Sequence, residues 1–499
     1  MRRPSAAPPA APRAGADALL LAAPTLTASA ASVAGLVAAL AFVANVQAGG
    51  VAAAPAAAAE VPAAAASGAG GTDPAATPAA DAAAGDAAAA QALQWHYGWR
   101  MWHGLEIAAS KRTGIESSVD ALPILNLKEV KVAGTIGGRI EVDASGYHTN
   151  GSLAGFDSGV GLRRARLTAK GSSILGVGYD YRVDLGYVTG KFTVTQAYVE
   201  VPGVRYLGTV AVGQLTPPVG LQLIRSSWDI AFMEPAAPLQ AIAPPSQPGV
   251  QASDTFLGGR GTWALGLFAG VGGGDYGSGA KRFGNLMGRA TWLAVDAADS
   301  EDPRARRYLH LGASANLQQG ANGELRYRSR PESFLAPYAI DTGAIEATRA
   351  ATLGAELLWA DGPFSAQAEL IASRIDARAG GALHFAGAYA LTSLVLTGES
   401  RPYNRSAGVP GRLVPRRNFG FGPHAGWGAL EAAARVSYTD LSDGAVHGGR
   451  LAMLMSSLNW YLRPQLKLML ELGGGRVSGA ATGNGSFLIG QLRLGVYFY

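Results

Sequence analysis

The chain closes on an uninterrupted alternating segment, Phe487–Tyr499, that finishes in aromatics. Leu488, Leu492, Leu494, Val496 and Phe498 fall on one side of an extended strand, and Gln491, Arg493 and Tyr497 on the other, because side chains change face with a period of two. One face suits hydrocarbon and the other suits water. A soluble sandwich could also end this way. An apolar band closed by aromatics, opposite a polar face, is what the last strand of a membrane-spanning β-barrel requires.

Composition agrees with the barrel. Of 499 residues 48% are hydrophobic, yet beyond the N-terminus there are almost no long helical periodicities or continuous apolar strands. Charged residues make up 15%, against about 25% in ordinary globular domains, and there are 68 glycines. A barrel accounts for both, since every second strand residue faces lipid and cannot carry charge cheaply, while glycine serves turns and crowded backbone. The net charge of +5 shows no clustered basic face, so nucleic acid is not an expected partner. With no cysteine, disulfides, thiolate metal sites and cysteine nucleophiles are excluded.

The N-terminus reads as an export signal over 1–48. Arg2, Arg3 and Arg13 supply positive charge, an apolar stretch runs from Val33 to Val46, and Val46-Gln47-Ala48 has the small residues of a cleavage site. That stretch is shorter than the about 20 residues of a spanning helix. Residues 49–93 are rich in alanine and proline and poor in large apolar side chains, the composition of a periplasmic linker. Residues 94–131 form a separate N-terminal segment, periplasmic or lodged in the lumen. Its Trp95, Trp99 and Trp102 interleave with His96 and His103, and two histidines without a third ligand do not define a metal site.

From 132 to 499 alternation dominates. Arg139, Glu141 and Asp143 oppose Ile140 and Val142; Arg164, Arg166 and Lys170 oppose Ala165, Leu167 and Ala169; Glu431 and Arg435 oppose Leu430 and Val436; Lys467, Met469 and Glu471 oppose Leu466, Leu468 and Leu470. Counting such segments gives sixteen antiparallel strands, an all-β transmembrane barrel with long inward-folded loops. With the C-terminus on the periplasmic side, 216–252 and 318–346 become long extracellular loops and 397–424 a long periplasmic connection. The phase places Leu468 in lipid and Met469 in a watery lumen, where an arginine is expected to be tolerated.

Several short motifs recur in a specific order. They are Gly138-Arg139-Ile140, Arg163-Arg164-Ala165-Arg166, Ala197-Tyr198, Gly213-Gln214 with Pro218 and Gly220, Ser226-Ser227 with Glu234, Leu396 to Tyr403, Gly428-Ala429-Leu430-Glu431, Arg435-Val436-Ser437-Tyr438, and Leu458 to Pro464 followed by Leu466-Lys467-Leu468. Over 133–499 this succession resembles the phosphate-selective porin O and P family. The resemblance implies a homotrimer of sixteen-stranded barrels in the bacterial outer membrane, folded there by the barrel assembly machinery, seated in lipid, passing small anionic solutes and using no cofactor. Thr216, Gln222, Gln196 and Pro235 depart from the family's usual lysine, glutamate, aspartate and arginine, which places phosphate specificity in question.

Charge gives a second route to selectivity. Wall charges nearly balance, so the loops decide: Arg326, Arg328 and Arg330 lie in 318–346, and Arg401, Arg412, Arg416 and Arg417 in 397–424. Together with Arg164, Arg166 and Arg435 on the wall they are the candidate pore-lining residues, since the guanidinium fork suits phosphate or carboxylate and anion pores are built from such rings. The alternative is that they bind lipopolysaccharide or neighbouring acidic side chains. A hydrolase is disfavoured: the seven histidines are scattered, and Gly270-Val271-Gly272-Gly273-Gly274 lacks the lysine and hydroxyl residue of a phosphate loop. A non-selective porin and a structural barrel remain as alternatives; a gated receptor needs a plug domain longer than the N-terminal segment offers.

Overall fold

The structure, a computed structural model, describes residues 94–100, 104–112, 129–175, 177–188, 191–270, 279–298, 306–421 and 425–498. The expected signal peptide and linker, 1–93, lie outside the described residues, as do most of the glycine run at 270–274, His424 and Tyr499.

Sixteen antiparallel strands make one closed wall. In order they are β1 (Glu129–Thr149), β2 (Gly159–Leu175), β3 (Val177–Val188), β4 (Lys191–Val204), β5 (Gly208–Leu215), β6 (Gln247–Phe256), β7 (Gly261–Ala269), β8 (Gly284–Ala298), β9 (Arg306–Arg326), β10 (Ile345–Asp361), β11 (Phe364–Ala377), β12 (Gly381–Val395), β13 (Ala429–Asp443), β14 (Val446–Arg463), β15 (Leu466–Ala480) and β16 (Gly485–Phe498). Each pairs with its predecessor, and β16 closes on β1 from Phe487↔Thr149 to Phe498↔Gly138. Closure removes sheet edges, so every strand amide has a partner inside a medium that offers none.

The alternation read from the sequence is realised. Leu472 (55% exposed) and Leu488 (62%) point outward, whereas Glu471 and Gln491 beside them are buried on the inner face. Outward leucines recur around the wall at Leu267, Leu317, Leu353 and Leu454. The strands also outrun the expected boundaries. β9 continues past Gly320 and Gly323 to Arg326, pairing with β10 through a register shift between Gln319 and Gly323, so the following connection is 327–344. β6 starts at Gln247 and β13 at Ala429, which leaves 216–246 and 396–428 as the other long connections.

The N-terminal segment contributes a strand pair, Gln94–Arg100 with Gly104–Arg112. Its second strand pairs with β1 from Leu105↔Ile136 to Arg112↔Glu129. It thereby covers the stretch of β1 that β16, stopping at Gly138, leaves without a neighbour.

The rim where β1 begins and β16 ends is called the near rim below. Connections 216–246 and 327–344 enter the lumen from the far rim, and 396–428 from the near rim. They fill much of the interior: Phe232, Leu239 and Ile242 join Ile371, Tyr389, Leu391 and Met455 of the wall in one apolar cluster. Met469 does point inward, but it is 3% exposed rather than wet. Alternation assigned its side correctly and its surroundings incorrectly, because the period of a strand carries no information about what a distant loop places against it.

Candidate functional site

The connection 216–246 crosses the lumen, and its backbone polar groups are met one after another by side chains of the wall. It opens with a short helix, α1 (Leu221–Ile224), whose Leu221 and Gln222 N–H groups donate to the Glu369 carboxylate of β11 at 2.6 and 3.2 Å. Tyr389 of β12 donates its hydroxyl to the same carboxylate. The chain then turns at Ser226–Asp229 and runs along β13–β16. Lys467 donates to the Ile230 carbonyl (3.1 Å), Ser457 and Asn459 to the Ala231 carbonyl (2.9 and 2.7 Å), and Arg493 to the Met233 carbonyl (2.5 Å). The Met233 N–H donates to Glu471 (2.5 Å). A backbone carried this far from water must have its groups paired, and the inner face supplies the partners.

Close approach needs small residues on the wall. A Cβ on Gly495 would lie 2.6 Å from the Trp228 ring, and one on Gly387 would lie 2.6 Å from the Pro238 Cβ in the second helix, α2 (Ala237–Ile242).

The central cluster forms around Glu234. Arg163 grips its carboxylate through Nε (2.6 Å) and Nη2 (3.0 Å), Arg493 through Nη2 (2.7 Å), and Arg164 stands at 3.5 Å. Arg493 also chelates Asp143 at 2.7 Å by both contacts, and Arg164 reaches Glu141 at 2.6 Å. Burial alone would raise the Glu234 pKa; the guanidiniums of Arg163, Arg164 and Arg493 overcome this and hold it well below the usual carboxylate range. Arg435, 1% exposed, binds the Glu332 carboxylate from 327–344, donates to the Glu234 carbonyl (3.0 Å) and lies 4.0 Å above the Phe232 ring.

A second cluster surrounds Asp229 toward the near rim. Arg401 binds Glu431 at 2.6 and 2.7 Å and donates to the Asp229 carbonyl at 3.0 Å, while Arg412 reaches the Asp229 carboxylate at 2.9 Å and lies 4.6 Å over the Tyr497 ring. Arg225 donates to the Asp229 carbonyl at 2.5 Å. Burial, and next the charge of Arg401, bring its pKa down to about 10. Burial also opposes the charge of Arg401, but Glu431 outweighs it and shifts that pKa upward.

The remaining candidates are dispersed. Arg328 and Arg330 stack on Tyr338 at 3.9 and 4.7 Å in the far-rim loop, where Arg330 also donates to the Phe334 and Ala336 carbonyls (2.7 and 2.5 Å). Arg326 is at the end of β9 rather than in that loop, exposed and paired with Asp341 at 2.5 Å. Arg166 stays 21% exposed on the inner face, 3.7 Å from Asp184. Arg416 and Arg417 are exposed, and the Arg416 N–H donates to Glu399 at 3.0 Å.

Arg163, Arg225, Asp229, Glu234, Glu332 and Arg493 are cluster residues that the candidate set lacked. Two signals were present. The connection 216–246 is far too apolar for a solvent loop, with only Arg225, Asp229 and Glu234 charged among its residues. Charged residues isolated in such a stretch are those that must be paired when it is buried. Among the described residues, no group of three or more His, Asp or Glu side chains is placed to hold a metal ion.

The family model for phosphate-selective porin O and P matches residues 135–498, which span the closed wall except for the first six residues of β1. The chain belongs to that family. This porin is 29% identical over 356 residues to an uncharacterized protein of Caulobacter vibrioides, covering 67% of each chain. Its wall is similar to OmpT of Vibrio cholerae with loop L8 deleted (8% identity, 74% of this chain and 99% of that chain, TM-score 0.47). It is also similar to the anion-selective porin from Comamonas acidovorans (14% identity, 74% and 100%, TM-score 0.44). The porin resides in the bacterial outer membrane and passes small solutes by diffusion, and its family describes a channel rather than an enzyme.

Proposed function

We propose that the permeating solutes are small anions carrying phosphate or carboxylate groups, and that the inward connections set this preference. The observation that supports this reading best is the concentration of guanidiniums at the constriction: Arg163, Arg164, Arg435 and Arg493 in the central cluster, and Arg225, Arg401 and Arg412 in the second. Most are neutralised by one acidic partner each. The fields that reach a passing ion come from Arg412 of the second cluster and, outside the clusters, from Arg166 of β2 and Arg182 of β3, which share Asp184; their side chains are 22%, 21% and 35% exposed. Arginine offers bidentate donors to phosphate and carboxylate, and rings of such cations favour anions.

In this reading the near rim is periplasmic, residues 1–48 direct export and are removed, 49–93 link the segment before the wall, and three copies assemble with lipid around them. Single-channel recording in a salt gradient tests it: an anion-selective pore gives a zero-current potential of the anion's sign. The close pairing of arginine with carboxylate favours a second reading, a non-selective porin, for which that potential stays near zero.

A further inference from the structure

Glu332 stands out among the residues of 327–344. It is fully buried, and its φ of 52° lies in the left-handed region that a non-glycine residue seldom adopts. Strain of that kind persists only where the surroundings determine the conformation, and here they do. Its Oε1 accepts the Ala237 N–H at the start of α2 (2.9 Å) and the Ser437 hydroxyl (2.7 Å), its Oε2 takes Arg435 Nε (3.0 Å) and Nη2, and its carbonyl accepts Gln491 Nε2 (3.2 Å). One residue of one loop thus holds the helix of another loop and β13 by its side chain, and β16 by its carbonyl.

We propose that Glu332 is a positioning residue for solute passage: it clasps 327–344 and α2 together against β13, and so fixes the aperture left beside the opposite wall. The argument is one of reach. Glu234 anchors the middle of 216–246 to β2 and β16, and Glu369 anchors its start to β11. The N–H that begins α2 is held by Glu332, which belongs to neither the wall nor the same loop. If an amide replaces that carboxylate, Arg435 loses its ionic partner on this side, and because only one of the two positions can still accept, either Arg435 or the Ala237 N–H faces an NH2 group, so both loops gain freedom at their point of contact. The inference rests on the channel reading, since an aperture matters only where solutes pass.

The test is single-channel recording of the full-length porin in planar bilayers. Glu332→Gln should give a larger conductance step and a zero-current potential closer to zero in a salt gradient, while its heat-unfolding in detergent stays close to that of the native barrel. Glu332→Asp, which keeps the charge on a shorter arm, should fall between the two. A purely structural role for Glu332 would lower the unfolding temperature and leave the step of the folded channels at its native size, whereas positioning changes the step of folded channels and is partly rescued by Glu332→Asp. Ser437→Ala removes one hydrogen bond to the same carboxylate and should shift conductance in the same direction even where Glu332→Gln does not fold. Native steps that neither Glu332→Gln nor Ser437→Ala alters overturn the clasp and leave the channel standing; native protein that folds and never conducts overturns both.

Discussion

Arg163 and Glu234 form a two-point ion pair, Nε to Oε1 at 2.6 Å and Nη2 to Oε2 at 3.0 Å, although strict alternation would place Arg163 in lipid. The register between β1 and β2 shifts between Glu141 and Val142, whose partners are Arg164 and Leu162, so Arg163 is an unopposed extra residue. A bulge of this kind re-aims a side chain, and it lets two consecutive arginines face the lumen. Glu234 closes the central cluster only because of it.

Removing one partner of that pair should be costly. Arg163→Met is expected to destabilise the porin by about 3 kcal/mol, the lower end for a broken buried pair, because Arg493 still holds Glu234 at 2.7 Å. Adding Glu234→Gln to it should cost less than the sum of the two single changes. Denaturant unfolding in lipid vesicles measures all three, and strict additivity would show that the two residues are energetically independent.

Acid sensitivity follows from the direction of the Glu234 shift. Its pKa in the folded porin lies below the unfolded value of about 4.3, so the stabilisation from its charge is present in full above that pH and is lost only as the pH falls through the depressed folded value. Protease resistance of 216–246 should therefore hold from neutral pH to about 4 and fail in stronger acid. Glu234→Gln should show reduced resistance at neutral pH with no further loss through that acid range. Loss of protection by the native protein between neutral pH and 5 would contradict the assignment.

The wall was legible because one signal, the period of two, is local and survives without knowledge of neighbours: Leu470 and Glu471 took the faces that their alternation required. The N-terminal strand pair was not, since its order depends on the open stretch of β1 beyond Gly138. At the constriction, Arg164 and Arg435 were read as lumen-facing from phase alone, and their inward position is what the structure has. Their partners were not readable. Glu234 and Glu332 reach them from loops 70 to 103 residues distant in sequence, across contacts set by loop packing. Arg163 was hidden by the bulge, and Met469 by the loop that covers it.

The lipid face sets a contrasting expectation. Leu472, at mid-strand in β15 and 55% exposed, should cost about 2 to 4 kcal/mol on replacement by arginine if it lies near the bilayer centre. Met469→Arg should also destabilise, by overpacking and by burying a new charge under 216–246. The two should differ in lipid dependence. Thinner bilayers should relieve Leu472→Arg and leave Met469→Arg unchanged, as urea unfolding in vesicles of two chain lengths would reveal; equal relief in both would misplace the inner face.

Selectivity separates the arginines of 396–428 into two pairs. Arg401 and Arg412 converge on Asp229, whereas Arg416 and Arg417 are exposed. Changing Arg401 and Arg412 to glutamine leaves Glu431 and Asp229 without those cations, so the zero-current potential in a salt gradient should move toward cation preference. The shift should shrink above about 1 M salt, where the screening length falls to about 3 Å. Changing Arg416 and Arg417 instead should shift the potential less at every salt concentration, because both are exposed and salt screens exposed charges more than buried ones. Equal shifts from the two pairs would mean that the field along the path is not set by the cluster at Asp229. No shift from either would assign anion preference to the partly accessible Arg166 and Arg182 of β2 and β3.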